Sequence, residues 1–160
     1  REVTNNEIPW SSKGMKKILL KEIVWDEDIK VDKGYILGIY MSPFDVHVTR
    51  SPIQGKVLKI THHKGRRLRI GNEKFEFENE RKTILLEHHS GLRIAVIQIA
   101  ALIIGKIDCY VKEGMTLELG QRIGKVKFGS QVDMIVAGKL EIQASPKEKL
   151  RGGETVIAEF

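Results

Sequence analysis

The 160-residue sequence has a single cysteine, Cys109, and no long hydrophobic run. One thiol cannot form an intramolecular disulfide, and it excludes a zinc site built from several cysteines. The longest apolar segment, 94–104, is interrupted by Gln98 and is well short of the ~20 residues that a transmembrane helix needs. A chain of this length buries a core without a metal or a disulfide, so we expect one compact domain over residues 1–160.

Aromatic residues are also scarce, at 6% of the chain, whereas positive charge is in excess, with a net charge of +6. This balance favours anionic partners, either nucleic acid or acidic lipid headgroups. Because no aromatic residues alternate with the basic ones, we do not expect a base-stacking platform for nucleic acid. The basic residues form two clusters that fit either a solvated surface or a membrane contact: Lys13, Lys16, Lys17 and Lys21, and Lys64, Arg66, Arg67 and Arg69.

Short segments rich in Val, Ile and Tyr, separated by Gly and polar residues, predict a mostly β protein. The predicted strands are 36–41, 55–61, 67–70, 83–88, 92–104, 106–112 and 132–136. The basic stretch 62–66 is predicted to be the tip of a hairpin, with Gly65 in the turn. Residues 13–25 fit a helix or a strand.

The pattern Leu-x-x-Gly-x-x-Ile/Val occurs twice, at 117–123 and 150–156, and predicts tight turns with glycine at a positive dihedral angle. Such turns resemble the hammerhead turns of the barrel-sandwich hybrid fold of lipoyl and biotinyl carrier domains. Segment 51–57 resembles that fold's opening strand. Generic β-hairpins explain each piece taken alone. A carrier domain is a further alternative, since Asp32-Lys33 resembles a lipoyl attachment pair, but the sequence lacks a biotinyl Met-Lys-Met.

Four ordered segments carry a more specific resemblance. They are 40–52, which contains Ser-Pro-Phe-Asp-Val-His, then 77–81, 107–114, and 127–133, which contains Gly129-Ser130. Their order and spacing resemble the phosphatidylserine decarboxylase family, in particular its short branch, which includes archaetidylserine decarboxylases. The resemblance covers residues from about Gly38 to Phe160.

The resemblance implies a pyruvoyl cofactor that the chain makes from its own backbone. The hydroxyl of Ser130 would attack the carbonyl carbon of Gly129, and the resulting ester would be eliminated and hydrolysed to a pyruvoyl group. Glycine suits the first position because it has no Cβ to obstruct the nucleophile. Self-cleavage would give a β chain, residues 1–129, and an α chain, residues 130–160, held together by strand pairing. No metal is required.

The implied reaction is decarboxylation of a phosphoserine-headgroup phospholipid, phosphatidylserine or archaetidylserine, to the ethanolamine lipid. The pyruvoyl group would form a Schiff base with the serine amine and withdraw electrons as carbon dioxide leaves. The resemblance implies a peripheral location at the cytoplasmic face of a membrane. Phe44 is a candidate substrate contact, and Phe44 and the surroundings of Trp10 are candidate bilayer contacts that fit a core position equally well.

Two residues in segment 40–52 are further candidates for the site. The resemblance places His47 at the family's histidine position, where an imidazole would exchange protons or contact the substrate carboxylate. Its alternative is a histidine satisfied by a backbone carbonyl. Arg50 would bind the phosphate or carboxylate, and a surface ion pair is its alternative.

One residue departs from the family pattern in a way that bears on maturation. Lys13, in Ser11-Ser12-Lys13-Gly14, stands where the family carries an aspartate that assists self-cleavage. We therefore keep a second hypothesis, a non-maturing homologue that binds lipid headgroups without catalysis. The pairs His62-His63 and His88-His89 are expected to be structural, because adjacent strand residues face opposite ways and cannot easily converge on one metal. Since the sequence begins at Arg1, we expect that upstream residues were removed.

Overall fold

The computed structural model describes residues 2–4, 7–10, 16–19, 33–101, 106–127 and 129–160. Over these ranges the chain forms fourteen strands and one short helix, α1 (Phe75–Glu78). The strands are β1 (Glu2–Thr4), β2 (Glu7–Trp10), β3 (Lys16–Leu19), β4 (Lys33–Met41), β5 (Val48–Arg50), β6 (Gly55–His63), β7 (Arg81–Glu87), β8 (Arg93–Ala100), β9 (Ile107–Cys109), β10 (Thr116–Leu117), β11 (Arg122–Val126), β12 (Ser130–Ala137), β13 (Glu141–Ile142) and β14 (Ala158–Glu159).

Within the described residues these strands make three antiparallel sheets. The large sheet has nine strands in the order β10-β6-β7-β8-β12-β4-β1-β2-β3. The small sheet has three, in the order β5-β11-β9, and β13 pairs with β14. Strand β12 lies in the interior of the large sheet, with β8 on one side and β4 on the other.

The core occupies both faces of the large sheet. On one face of β8, Ile97 and Ile99 pack with Phe75 of α1, and on the other face Ile94 and Val96 pack in the cluster that extends to the small sheet. A strand covered on both faces has no solvent side, which explains why β8 has a nearly continuous apolar sequence instead of an alternating one. The chain is therefore mostly β, as the sequence predicts.

The predicted strands at 36–41, 55–61, 83–88 and 132–136 are confirmed as β4, β6, β7 and β12. Those at 92–104 and 106–112 are confirmed over the shorter spans of β8 and β9, with 102–105 outside the described residues. Of the ambiguous stretch 13–25, only 16–19 is described, and it forms β3.

The predicted strand at 67–70 is wrong. This segment is irregular because the carboxamide of buried Asn79 takes the hydrogen bonds that a neighbouring strand would take. Asn79 Oδ1 accepts from the Leu68 amide at 2.9 Å, and Asn79 Nδ2 donates to the Leu68 carbonyl at 2.9 Å.

The predicted hairpin tip at 62–66 is also wrong, since β6 continues to His63 and its partner β7 begins only at Arg81. Gly65 is required for close approach and not for a turn. A Cβ on Gly65 would collide with the carbonyl oxygen of Glu78 and would lie 2.7 Å from the Asn79 carbonyl carbon.

The two repeated turns form as predicted. Gly120 has φ of 75° and Gly153 has φ of 87°, a backbone conformation that favours glycine. The antiparallel sheets and these turns are compatible with a barrel-sandwich hybrid, which stays a prediction.

The second basic cluster is partly neutralised by acidic residues of segment 77–81. Arg66 Nη1 lies 3.2 Å from Glu78 Oε2, and Arg67 Nη2 lies 3.7 Å from Glu80 Oε2. Exposed ion pairs of this kind contribute little to stability. They do favour the interpretation of this cluster as a solvated loop.

Candidate active site

Ser130 is the first residue of β12 and is held on both sides. It pairs with Met41 of β4 and with Ala100 of β8. Its side chain is fully buried, and its Oγ has no hydrogen-bond partner among the described residues. A buried hydroxyl without a partner costs free energy, so its retention at this position favours a chemical role.

Gly129, which precedes Ser130, has φ of 58°. A Cβ built on it would have no heavy atom within 4 Å, so the requirement for glycine comes from the backbone and not from crowding. Other L-residues are strained in this left-handed conformation. The peptide bond between Gly129 and Ser130 thus begins at a residue whose conformation few side chains tolerate.

A tight, hydrogen-bonded turn at 42–45 precedes His47. The amide of Asp45 donates to the Ser42 carbonyl at 3.0 Å, and the Asp45 carboxylate accepts from the Ser42 amide at 2.7 Å. Hydrogen bonds from Ser42 hold the pKa of the Asp45 carboxyl below its usual value. Because folding lowers this pKa, the stabilisation is present at neutral pH and is lost as the pH falls through the folded-state pKa.

His47 contacts Gly129, the first residue of the Gly129–Ser130 bond. Its Nε2 accepts a hydrogen bond from the Gly129 amide at 3.0 Å, and its Nδ1 lies 2.7 Å from the Asp45 carbonyl oxygen. A carbonyl can only accept and a backbone N–H can only donate, so the contacts assign the proton to Nδ1 and leave the Nε2 lone pair facing Gly129. The ring itself is buried, with 8% of His47 exposed.

The structure brings His47, Gly129 and Ser130 together but places the other two predicted site residues elsewhere. Arg50 is exposed at the opposite end of β5, where it pairs with Arg122 and its Nη1 donates to the Gly120 carbonyl at 2.8 Å. Phe44 projects from the 42–45 turn and is 99% exposed, so it is not a core residue. Their roles as substrate contacts stay predictions.

A buried pair of polar side chains next to His47 was missed by sequence reasoning. Gln98 Nε2 of β8 donates to Thr49 Oγ1 of β5 at 2.9 Å, and Gln98 is fully buried. Gln98 Oε1 has no hydrogen-bond partner among the described residues. The available signal was the single polar residue within the apolar run of β8.

Segment 77–81 supports the strand opposite Ser130. Asn79 Nδ2 donates to the Ala100 carbonyl at 2.7 Å, and the Ala100 amide donates to the Glu80 carbonyl at 3.0 Å. Arg81 is buried, its Nη1 donates to the Phe77 carbonyl at 2.6 Å, and burial lowers its pKa to about 10. Its guanidinium therefore remains charged at neutral pH while it braces this loop.

The paired histidines lie away from this site. His62 contacts Glu80 at 3.0 Å, and His88 contacts Ser90 at 2.8 Å. In the part of the chain that the structure describes, no three His, Cys, Asp or Glu side chains are grouped as a metal site. Lys13 lies outside the described residues. Trp10 falls in β2, and its side chain is not among those described.

The sequence was compared with known proteins. The model of the family described as phosphatidylserine decarboxylase matches residues 2–158. The chain belongs to the phosphatidylserine decarboxylase family. This family is one of carboxy-lyases, and its curated relatives are named as proenzymes.

Two similar relatives show how far the match extends. The phosphatidylserine decarboxylase proenzyme of Pelobacter propionicus is 40% identical over 76% of this chain and 55% of its own length. A protein of Methanothermobacter thermautotrophicus, named as an archaetidylserine decarboxylase proenzyme with a qualifier of uncertainty, is 39% identical over 79% of this chain and 56% of its own length. The chain thus spans about half the length of these relatives of the phosphatidylserine decarboxylase family.

Two further observations concern the described residues as a whole. No helix within them is long and apolar enough to cross a membrane. A surface cleft lined by residues such as Lys56, Glu87 and His88 contains none of the predicted site residues.

Proposed function

We propose that the protein is a proenzyme that cleaves itself between Gly129 and Ser130 and then decarboxylates a phosphoserine-headgroup phospholipid. The observation that carries this proposal is the contact of His47 with the Gly129–Ser130 segment, 82 residues away in the sequence. The Nε2 atom of His47 lies 3.0 Å from the amide nitrogen of Gly129, and the adjoining Ser130 has a buried hydroxyl with no hydrogen-bond partner among the described residues. Family membership supplies the reaction class.

The first step moves an acyl group from nitrogen to oxygen. Ser130 Oγ attacks the carbonyl carbon of Gly129, the C–N bond breaks, and the freed nitrogen of Ser130 takes up the proton lost by the hydroxyl. His47 can carry this proton when its Nε2 lone pair, which accepts from the Gly129 amide in the structure, exchanges that amide for the Ser130 hydroxyl. Its Nδ1–H bond to the Asp45 carbonyl keeps the ring in the orientation and tautomer that this transfer needs.

The next steps release Gly129. Loss of the α-proton of residue 130 and cleavage of the Cβ–O bond give a Gly129 carboxylate and dehydroalanine, and addition of water with loss of ammonia leaves a pyruvoyl group at the new N-terminus. The oxygen of Ser130 leaves with the Gly129 carboxylate, the Cβ of residue 130 becomes the methyl group, and water supplies the ketone oxygen at Cα. The pyruvoyl ketone supplies an electron sink for decarboxylation.

The remaining residues of the site act on binding and access. His47, which contacts Gly129, can also return a proton to the substrate carbon after carbon dioxide leaves. Phe44 is fully exposed on the adjoining turn and is positioned to contact a bilayer that holds the lipid. With net charge of +6, the protein is attracted to anionic lipid surfaces, which supports a peripheral membrane location at the cytoplasmic face.

The central test is replacement of the nucleophile in the full-length protein. Wild-type protein should give two fragments on a denaturing gel, the smaller with a blocked N-terminus that an amine plus cyanoborohydride labels. Ser130→Ala should give one uncleaved chain with an unchanged fold. Ser51→Ala is the matched control, because Ser51 is also a buried serine whose Oγ bonds the Ile53 carbonyl at 2.7 Å, and it should mature normally. Cleavage in Ser130→Ala would refute the assignment of the nucleophile.

A non-maturing homologue that binds lipid headgroups without catalysis is the competing function, and Lys13 is the feature that favours it. It predicts that the wild type remains one uncleaved chain and carries no carbonyl that an amine can trap.

A separate experiment identifies the substrate. Matured protein is incubated with vesicles of carboxyl-labelled phosphatidylserine or archaetidylserine, and release of labelled carbon dioxide shows which of the two lipids is used.

A further inference from the structure

The structure assigns Gln98 and Thr49 as positioning residues that hold His47 against Gly129, so that self-cleavage depends on a hydrogen bond between two sheets. This inference rests on the proposed function for its kinetic consequence, whereas the positioning itself follows from the contacts. Neither residue touches the reacting atoms.

The Gln98–Thr49 hydrogen bond links β8, which pairs with the strand of Ser130, to β5, which follows His47. Gln98 belongs to β8 of the large sheet, and Thr49 belongs to β5 of the small sheet, two residues after His47. The bond from Gln98 Nε2 to Thr49 Oγ1 is 2.9 Å long, and the two residues are 0% and 6% exposed. Water does not compete for a hydrogen bond between side chains that are this deeply buried, so the bond can fix the distance between the sheets.

The strand register places Gln98 on the same side of the large sheet as Ser130. Ser130 pairs with Ala100, and Val132 pairs with Gln98, so the four side chains share one face. Ala100 packs with Ile107 and Val126, which belong to β9 and β11 of the small sheet. The carboxamide of Gln98 therefore lies in the layer between the sheets, beside the residue that the proposed cleavage uses.

Gly124 of the small sheet leaves room for the carboxamide of Gln98. A Cβ on Gly124 of β11 would lie 2.6 Å from Gln98 Nε2 and 3.0 Å from Gln98 Oε1. Gly124 also pairs with Thr49, at the bulge in the β5–β11 ladder. The same Cβ would lie 2.6 Å from the Asp108 carbonyl oxygen, so glycine at 124 leaves room both for β9 and for the carboxamide that bonds Thr49.

The energetics argue that this contact is not kept for stability. Gln98 Oε1 is buried without a hydrogen-bond partner among the described residues, in a layer that also holds the apolar side chains of Ala100, Ile107 and Val126. A leucine or methionine would fill this volume without that cost. A polar side chain that costs stability and ties the strand after the histidine to a strand paired with that of the serine is the pattern expected of a functional constraint.

The consequence for catalysis is geometric. His47 precedes β5 directly, so a shift of β5 relative to β8 moves the imidazole relative to the Gly129–Ser130 bond. A displacement of about 1 Å in such a position reduces the rate of a reaction severely. The Gln98–Thr49 bond restrains this displacement at two residues from the ring.

The experiment measures the rate of self-cleavage in the full-length protein made at low temperature and then warmed. Gln98→Met and Thr49→Val remove the hydrogen bond with little change in volume, and each should slow cleavage about tenfold. The double variant should be no slower than either single variant, because both remove the same contact. Thr49→Ser keeps the hydroxyl and should restore the rate. Thr83→Val, a buried threonine on β7 that faces away from this layer, should leave the rate unchanged.

Additive losses in the double variant, or a Thr49→Ser protein as slow as Thr49→Val, would overturn the inference. A second readout does not need cleavage at all. In the Ser130→Ala background, Gln98→Met and Thr49→Val should speed hydrogen exchange of the Gly129 amide, whose acceptor is His47 Nε2, and Thr83→Val should not. If the wild type never cleaves but this exchange responds, the proposed function fails and the positioning stands. If exchange does not respond, the positioning fails whatever the wild type does.

Discussion

The centre of the large sheet and the layer between the two sheets are both shielded from solvent, but they bury different kinds of side chain. At the centre, on the side of α1, Ile97 and Ile99 are fully buried and apolar. In the layer between the sheets, His47, Thr49, Gln98 and Ser130 are all buried, and two of their polar atoms have no hydrogen-bond partner among the described residues. We call these four residues the intersheet polar group. This difference fits a division in which the centre provides stability and the intersheet polar group serves the proposed chemistry.

The largest expected effect separates the two regions most clearly. His47→Gln removes the imidazole but keeps a polar side chain, and it should slow self-cleavage at least about a hundredfold, because general acid–base groups contribute on this scale. Its midpoint of thermal unfolding should change little. Gel densitometry over time and a thermal scan measure the two quantities. His62→Gln, at an exposed histidine, is the control and should cleave like the wild type. A fast-cleaving His47→Gln protein would remove this residue from the mechanism.

The converse effect is expected at the centre of the sheet. Ile97→Ala should lower the free energy of unfolding by about 2–5 kcal/mol, since it empties a fully buried site. The cleavage rate of the protein that remains folded should be close to that of the wild type. Urea titration gives the stability, and cleavage is followed well below the unfolding midpoint. If cleavage slows in proportion to the loss of stability, the centre and the intersheet polar group are not separable.

The smallest effect concerns the surface beside the site. Phe44→Ser should leave stability within about 0.5 kcal/mol of the wild type, because the side chain is already in solvent. Binding to vesicles that contain anionic lipid should weaken several-fold, as measured by co-sedimentation. Leu119→Ser is the matched control, since Leu119 is 71% exposed on a turn at the opposite end of β5. Equal loss in both variants would show that Phe44 has no special place in membrane contact.

The sequence predicted those parts of the fold that local pattern determines. The strands β4, β6 and β12 were predicted because their side chains fit one or two buried faces. The glycine turns at 120 and 153 were predicted because few residues other than glycine tolerate their dihedral angles. Segment 67–70 was predicted wrongly because Asn79, eleven residues from Leu68, takes the place of a strand partner, and no local pattern shows that.

The candidate site divides in the same way. Gly129, Ser130 and His47 were proposed from a resemblance in ordered motifs, and the structure brings them into contact. The Gln98–Thr49 bond joins residues 49 positions apart on different sheets, so it depends on how the sheets pack. Arg50 and Phe44 share a segment with His47, but sequence proximity did not determine where their side chains lie.

The position of β12 has a consequence for how the two proposed chains would coexist. Residues 130–137 pair with β4 and residues 130–136 pair with β8, so the fragment that begins at Ser130 carries an interior strand. Its departure would open two unpaired sheet edges lined with apolar side chains, which invite aggregation. A nick at the start of such a strand is tolerated, whereas dissociation is not. Gel filtration without denaturant should therefore show a single particle before and after cleavage.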